Sequence, residues 1–134
     1  MLDVMLNGKL TQAISAGVRI DVVRAQAPAA LPLNDTELCS LVMNLLDNAV
    51  AGAVASDAEK PYIRLDMHTK SSFFVFCLEN SAREKREDEQ NKKPAPGHGL
   101  GLKIVRQVVD RYGGLLEMEQ DEHCYRVRLA LPLS

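Results

Sequence analysis

Tryptophan is absent, and tyrosine and phenylalanine supply three residues each, 4% of a 134-residue chain. A surface that stacks unpaired bases needs aromatic faces, and one that follows a phosphate backbone needs an excess of positive charge. Here 16 basic residues stand against 18 acidic ones, a formal net charge of −2, so no nucleic-acid partner is expected. Cysteine is scarce as well. Cys39, Cys77 and Cys124 are odd in number, far apart and each set in an apolar stretch, with no Cys-x-x-Cys pair. That excludes a disulfide scaffold and reads as reduced thiols in a cytosolic domain. His123 lies beside Cys124 without a second ligand pair at zinc spacing. No apolar run approaches the ~18 residues of a membrane span, and nothing at Met1 has the pattern of a signal peptide. At 46% hydrophobic and 25% charged, the composition is that of one ordinary globular domain. A chain of this size buries roughly two thirds of its unfolded surface and needs no metal to hold a core.

Leu2 to Ala16 reads as a helix, with Leu2, Leu6, Leu10 and Ala13 at three- and four-residue spacing. Val18 to Val23 alternates like a half-buried strand, and Pro28 to Pro32 is a turn-rich connector. Asn34 then offers an N-cap ahead of a helix from Asp35 to Ala55, with acidic residues in its first turn. On a wheel of about 100° per residue, Leu38, Leu41, Val42, Leu45, Ala49 and Ala53 fill one apolar arc, with Leu46 and Val50 at its edge. Asn44 and Asn48, one turn apart, fall just outside it, near Ala51 and Asp47. Ile63–Thr69 and Phe73–Leu78 read as two strands. From Ser81 to Lys93, nine of thirteen residues are charged with both signs mixed, and Pro94, Pro96 and Gly97 follow, so this is an exposed loop rather than a core element. A second helix opens at Gly97-His98-Gly99-Leu100-Gly101 and ends at Gly113-Gly114. Leu115–Glu119 and Cys124–Leu131 make a terminal hairpin around Asp121-Glu122.

Two features carry possible chemistry. Alternating glycines before a helix let backbone N–H groups turn toward an anion that the helix N-terminus also favours. The spacing is neither a dinucleotide fingerprint nor a P-loop, and an ordinary flexible helix start reads equally well. The asparagine pair offers carbonyl oxygens suited to Mg²⁺ and amides suited to phosphate. Asn is a poor helix former, and the plain alternative is a pair of solvated polar positions.

Taken together, these segments resemble a known family. Leu41-Val-Met-Asn-Leu-Leu-Asp-Asn-Ala49 is similar to the N-box of the GHKL ATPase superfamily, in the form found in sensor histidine kinases. Gly97-His-Gly-Leu-Gly-Leu-Lys-Ile-Val105 is similar to its G2 box, and Tyr112-Gly-Gly-Leu-Leu with the ending Val-Arg-Leu-Ala-Leu-Pro132 resembles the kinase C-terminus. The motifs occur in the family's order, and the resemblance covers Val18 to Leu133. It implies an α/β (α+β) two-layer sandwich of the Bergerat ATP-binding type, with a mixed, mostly antiparallel sheet of about five strands on about three helices. Residues 1–16 would be the end of a linker or dimerisation helix, and 17–134 the catalytic domain with a lid over about 81–96. ATP and Mg²⁺ would be bound. Asn48 would be the metal ligand and Asn44 a phosphate or metal-shell contact. Gly97, His98, Gly99, Leu100 and Gly101 would line the phosphates through backbone amides. Lys103 would add a cation or be a solvated lysine. Arg83, Lys85 and Arg86 of the lid would reach the γ-phosphate or form a solvated face.

One stretch departs from the pattern. The family has D-x-G-x-G before the lid, where the Asp accepts from the adenine amino group. Here Glu79-Asn80-Ser81-Ala82 lacks both glycines, and Asn80 stands for the Asp as a neutral and weaker acceptor. This resembles the peptide-sensing receptor kinases that partner LytTR-type regulators. Ala51 stands where many kinases carry a charged residue. His68, His98 and His123 match no phosphoacceptor motif. The implied activity is that of a protein-histidine kinase catalytic domain, incomplete without a separate histidine phosphoacceptor (dimerisation) domain and feeding a response regulator. It would be a cytoplasmic part of a membrane-bound receptor with no direct membrane contact of its own. Two other readings keep the fold: a nucleotide-dependent or degenerate interaction module, and an anti-sigma-type serine kinase.

Overall fold

A computed structural model describes residues 2–26, 31–56, 58–82 and 98–133. In chain order these form α1 (Leu2–Ser15), β1 (Arg19–Ala25), α2 (Asp35–Val54), β2 (Tyr62–Lys70), β3 (Phe73–Ser81), α3 (His98–Arg111), β4 (Leu115–Gln120) and β5 (Cys124–Pro132). The strands join in one sheet of order β1-β2-β3-β5-β4. β1 runs parallel to β2 and every other pairing is antiparallel. Alternation along the central strands sends Ile63, Leu65, Met67, Phe74, Phe76, Leu78, Val127, Leu129 and Leu131 into one core. The same core takes Leu6 and Ala13 from α1, Leu41 to Ala53 from α2, and Val105, Val108 and Val109 from α3. The helices therefore cover one sheet face, and the expected two-layer sandwich with a five-strand mixed sheet is the observed architecture.

α2 is the central helix. Its length and mean hydropathy of 1.2 match a membrane span, yet Leu41, Val42, Leu45, Leu46, Ala49 and Ala53 are buried in this core. Leu46 is fully buried and Leu38 only partly so, which turns the core face slightly from the wheel's arc. Asn34 caps α2 with its extended backbone and a reciprocal capping box. Its Oδ1 accepts from Glu37 N at 2.8 Å, and its own N donates to Glu37 Oε1 at 3.2 Å. Glu37 also accepts from the Tyr112 hydroxyl and from Arg111 Nη1, the latter at 2.7 Å. One carboxylate thus joins the start of α2 to the end of α3.

The Tyr112 hydroxyl, then the Asn34 backbone amide and the Arg111 guanidinium, hold the Glu37 carboxyl below its ordinary value against the opposing effect of burial. Its folded value lies below the unfolded one, so its stabilisation is complete above the unfolded value. It is lost as pH falls through the folded value. Glu37→Ala is expected to lower the thermal midpoint by several degrees at pH 7, and by progressively less as pH falls through the folded value. Melting curves of both proteins across that range check it.

α1, expected as the end of a linker, packs on α2 and β1, and Lys9 Nζ lies 2.6 Å from Asp47 Oδ1. The strands run longer than their hydrophobic alternation suggests. β1 reaches Ala25 because a register shift between Val22 and Arg24 absorbs one residue. β3 continues three residues past Leu78, since Glu79, Asn80 and Ser81 pair with Arg126, Tyr125 and Cys124. At the last helix end, Gly113 takes φ +70, and a Cβ on Gly114 would stand 2.5 Å from the Ala130 carbonyl oxygen. Both glycines are required there.

Candidate functional site

Asn44, Asn48 and Gly52 lie at four-residue intervals on α2, a stripe about 12 Å long at 1.5 Å per residue. Each end of the stripe meets another element. At one end, a Cβ on Gly101 of α3 would stand 2.9 Å from Asn44 Oδ1. The absence of a side chain there lets the two expected motifs touch. Asn44 Nδ2 donates to the Ser40 carbonyl at 2.6 Å, so its Oδ1 is turned toward Gly101. At the other end, a Cβ on Gly52 would stand 2.5 Å from Asn80 Nδ2, and β3 brings Asn80 against the helix. Asn48 sits between these two contacts. Its Nδ2 is buried with no hydrogen-bond partner among the described residues. Native proteins leave few such groups, because each forfeits its hydration without return.

The end of β3 is held from both sides. Asn80, 2% exposed, donates from Nδ2 to the Ser81 carbonyl at 2.8 Å. Ser81, equally buried, accepts from Tyr62 N at 3.1 Å and meets Ser56 Oγ at 3.2 Å. Ser56 lies just past α2 and donates to the Ala53 carbonyl at 2.7 Å. On the opposite sheet face, Glu79 accepts from the Tyr62 hydroxyl at 2.8 Å and from Arg126 Nη2 and Nε at 2.7 and 2.9 Å. Arg64 Nη1 lies 3.4 Å away. Burial pushes Glu79 up, but Tyr62, Arg126 and Arg64 outweigh it and hold the carboxyl low. Burial first, and Glu79 second, push the Tyr62 hydroxyl up to about 12. These contacts bind β2, β3 and β5 together one residue before Asn80.

Of the residues expected to bind nucleotide, Asn44, Asn48, Asn80 and Gly101 converge on this stripe. His98, Gly99 and Leu100 form the first turn of α3, and Lys103 is exposed in the second. Gly97 and the lid from residue 83 onward, with Arg83, Lys85 and Arg86, lie outside the described residues. Gly52, Ser56 and Ser81 are additions that the motifs did not mark. A glycine inside a strong helix was the available signal for Gly52, since it costs about 1 kcal/mol against alanine. The described residues contain no cluster of three His, Cys, Asp or Glu side chains able to cage a metal. A cation here would take few protein ligands and lean on phosphate oxygens, the usual habit of Mg²⁺.

Comparison with known proteins agrees with this geometry. The family model for the GHKL domain matches residues 33–132. The sensor histidine kinase DpiB of Escherichia coli K12 is 29% identical over 132 residues, covering 90% of this chain and 24% of that protein. The sensor protein CitS of Halalkalibacterium halodurans is 26% identical over 129 residues, covering 88% and 24%. The chain thus spans 24% of the length of either relative. Among solved structures, the catalytic domain of histidine kinase ThkA superposes with a TM-score of 0.75 at 17% identity, over 98% of this chain and 92% of that one. Histidine kinase AdeS of Acinetobacter baumannii gives 0.73 at 13% identity, over 99% and 63%. The chain belongs to the GHKL domain family and has the fold of the ATP-binding catalytic domain of a sensor histidine kinase.

Proposed function

We propose that this domain binds Mg·ATP along the α2 stripe and holds the γ-phosphate for transfer to a histidine on a separate phosphoacceptor domain of the same receptor. The observation that carries this is the buried amide nitrogen of Asn48, without a partner among the described residues and set midway between the Asn44–Gly101 and Gly52–Asn80 contacts. Asn80 takes the adenine end, and Asn44 with the first turn of α3 takes the phosphate end. The Asn48 carboxamide presents a donor to a phosphate oxygen or, turned over, its carbonyl oxygen to Mg²⁺. When bound, Mg²⁺ would supply charge neutralisation at the phosphates. Lys103 and the backbone amides of the first turn of α3 add positive potential at the same end. Catalysis in such a site is positioning and electrostatics, with no covalent role for this domain's side chains. The phosphoryl acceptor would lie in the same receptor, a membrane-bound protein with this domain in the cytoplasm, and the product would serve a response regulator. Asn80 in the adenine position and the short Gly-His-Gly-Leu-Gly-Leu-Lys box favour a regulator of the LytTR type.

Titration of the domain with a fluorescent ATP analogue, with and without Mg²⁺, tests the first step. Saturable binding that Mg²⁺ tightens is expected. No saturable binding at millimolar nucleotide contradicts the proposal.

A further inference from the structure

The sheet face away from the helices carries two rows of charge. The first crosses all five strands in register: Asp21, Arg64, Glu79, Arg126 and Glu119. Its sign alternates at every step, with successive partners 3.1, 3.4, 2.7 and 3.6 Å apart. The second runs through Arg24, Asp66, Cys77, Arg128 and Glu117, and Arg24 meets Asp66 at 2.8 Å. Both rows finish on a glutamate of β4, an outermost strand. Glu79 has a cation on either side. Glu119 has Arg126 on one side and is 73% exposed, and Glu117 is exposed beside it.

The backbone of β4 is open at the same edge. Asp121 N donates to the Cys124 carbonyl at 3.0 Å, and Ala82 N to the His123 carbonyl at 2.8 Å. Bonded and unbonded pairs alternate along an antiparallel ladder. Glu117 and Glu119 therefore bond to β5, while Leu116 and Met118 turn their N–H and C=O groups to the free edge. Sheet edges are ordinarily blunted. At β1, the other edge, a register shift breaks the strand. β4 pairs without a break from Leu115 to Gln120, and its guard is the two glutamates. That guard is selective. A second copy's β4, laid antiparallel with faces matched, sets glutamate against glutamate, which is unfavourable. A basic strand meets no such barrier.

We propose that the β4 edge is a strand-addition site for an extended partner segment that alternates basic with aliphatic residues. Main-chain bonds to Leu116 and Met118 supply the pairing, and side chains on the two faces supply the choice of partner. On the open face, lysine or arginine opposite Glu117 and Glu119 continues both charge rows by one step. On the helix face, the intervening aliphatic residues lie beside Leu116, partly buried, and Met118, 37% exposed. The proposal does not depend on the nucleotide site.

The test uses three short labelled peptides titrated into the domain and followed by fluorescence anisotropy. One alternates lysine with valine. The second has the same composition with the lysines grouped. The third alternates glutamate with valine. The first is expected to bind roughly tenfold or more tightly than either of the others. Joint replacement Glu117→Lys and Glu119→Lys is expected to reverse the preference toward the glutamate peptide. Equal binding of the alternating and grouped lysine peptides would mean attraction by charge alone and overturns the proposal, as does no saturable binding. Hydrogen exchange of wild type needs no variant to fold. The amides of Leu116 and Met118 should slow roughly tenfold or more when the alternating lysine peptide is added, and that of Val22 on β1 should not change. Protection on β1 instead, or pairing of two copies through β4 in the absence of peptide, overturns the proposal.

Discussion

Asn48→Ala is expected to cut phosphotransfer at least roughly a hundredfold while making the domain slightly more stable. The two effects have one origin. The Asn48 amide nitrogen is buried without a partner among the described residues, and such a group costs about 1–3 kcal/mol. Asparagine in mid-helix costs about 0.6 kcal/mol more than alanine. Removing it relieves both, less a small packing loss, for a net gain of about 1 kcal/mol. At this chain size that raises the thermal midpoint by about 3–5 °C. Function moves the other way, because a preorganised polar contact to a transferring phosphoryl group is typically worth about 10²–10³ in rate. Calorimetry of the variant and phosphotransfer by the full receptor measure the two signs separately. Unchanged Mg·ATP binding in the variant would remove Asn48 from the site. A clear loss of stability would mean its amide is already satisfied.

Phe76→Ala carries the largest expected loss of stability, about 3–5 kcal/mol. Phe76 is fully buried on the middle strand of the sheet. It pairs with Met67 on one side and Leu129 on the other, and its ring is tilted 52° to that of Phe74 at 6.5 Å. All these neighbours belong to closed β ladders, so the cavity has little room to collapse. Against a typical domain stability of about 5–15 kcal/mol, the loss is a large share. The urea midpoint should fall with the slope unchanged. Nucleotide binding should fall only with the folded fraction, since Asn80 lies four residues further along the same strand face. Loss of binding at full foldedness would show that β3 transmits strain to the site.

The site's two motifs were legible because each is local. The asparagine pair is one helical turn apart, and the glycines precede a helix start. The core face of α2 was legible for the same reason, being a matter of period alone. What joins the motifs was not. Gly52 and Asn80 are far apart in sequence, and their contact exists only because β3 packs on α2. Ser56 and Ser81 look like ordinary helix-end and loop residues, and only burial turns them into a clasp. The end of β3 is hidden in the sequence for a related reason. Glu79-Asn80-Ser81 is polar and runs into a charged segment, which reads as a turn. In the fold, Glu79 is neutralised by Arg126, Arg64 and Tyr62 across the sheet, and Ser81 is bonded to β2, so the ladder continues. α1 shows the limit of period-based reasoning: its spacing gave the helix, but not the layer it joins.

The central claim is that nucleotide lies along Asn44, Asn48 and Gly52 of α2, with its base at Asn80. A ¹⁵N-labelled domain titrated with Mg·ATP tests it most directly. The side-chain amides of Asn44, Asn48 and Asn80 and the backbone amide of Gly101 should shift together on one saturating curve. Arg64, Glu117 and Arg128 on the far sheet face should stay still. No shift at millimolar Mg·ATP, or shifts gathered on the far face, would contradict it.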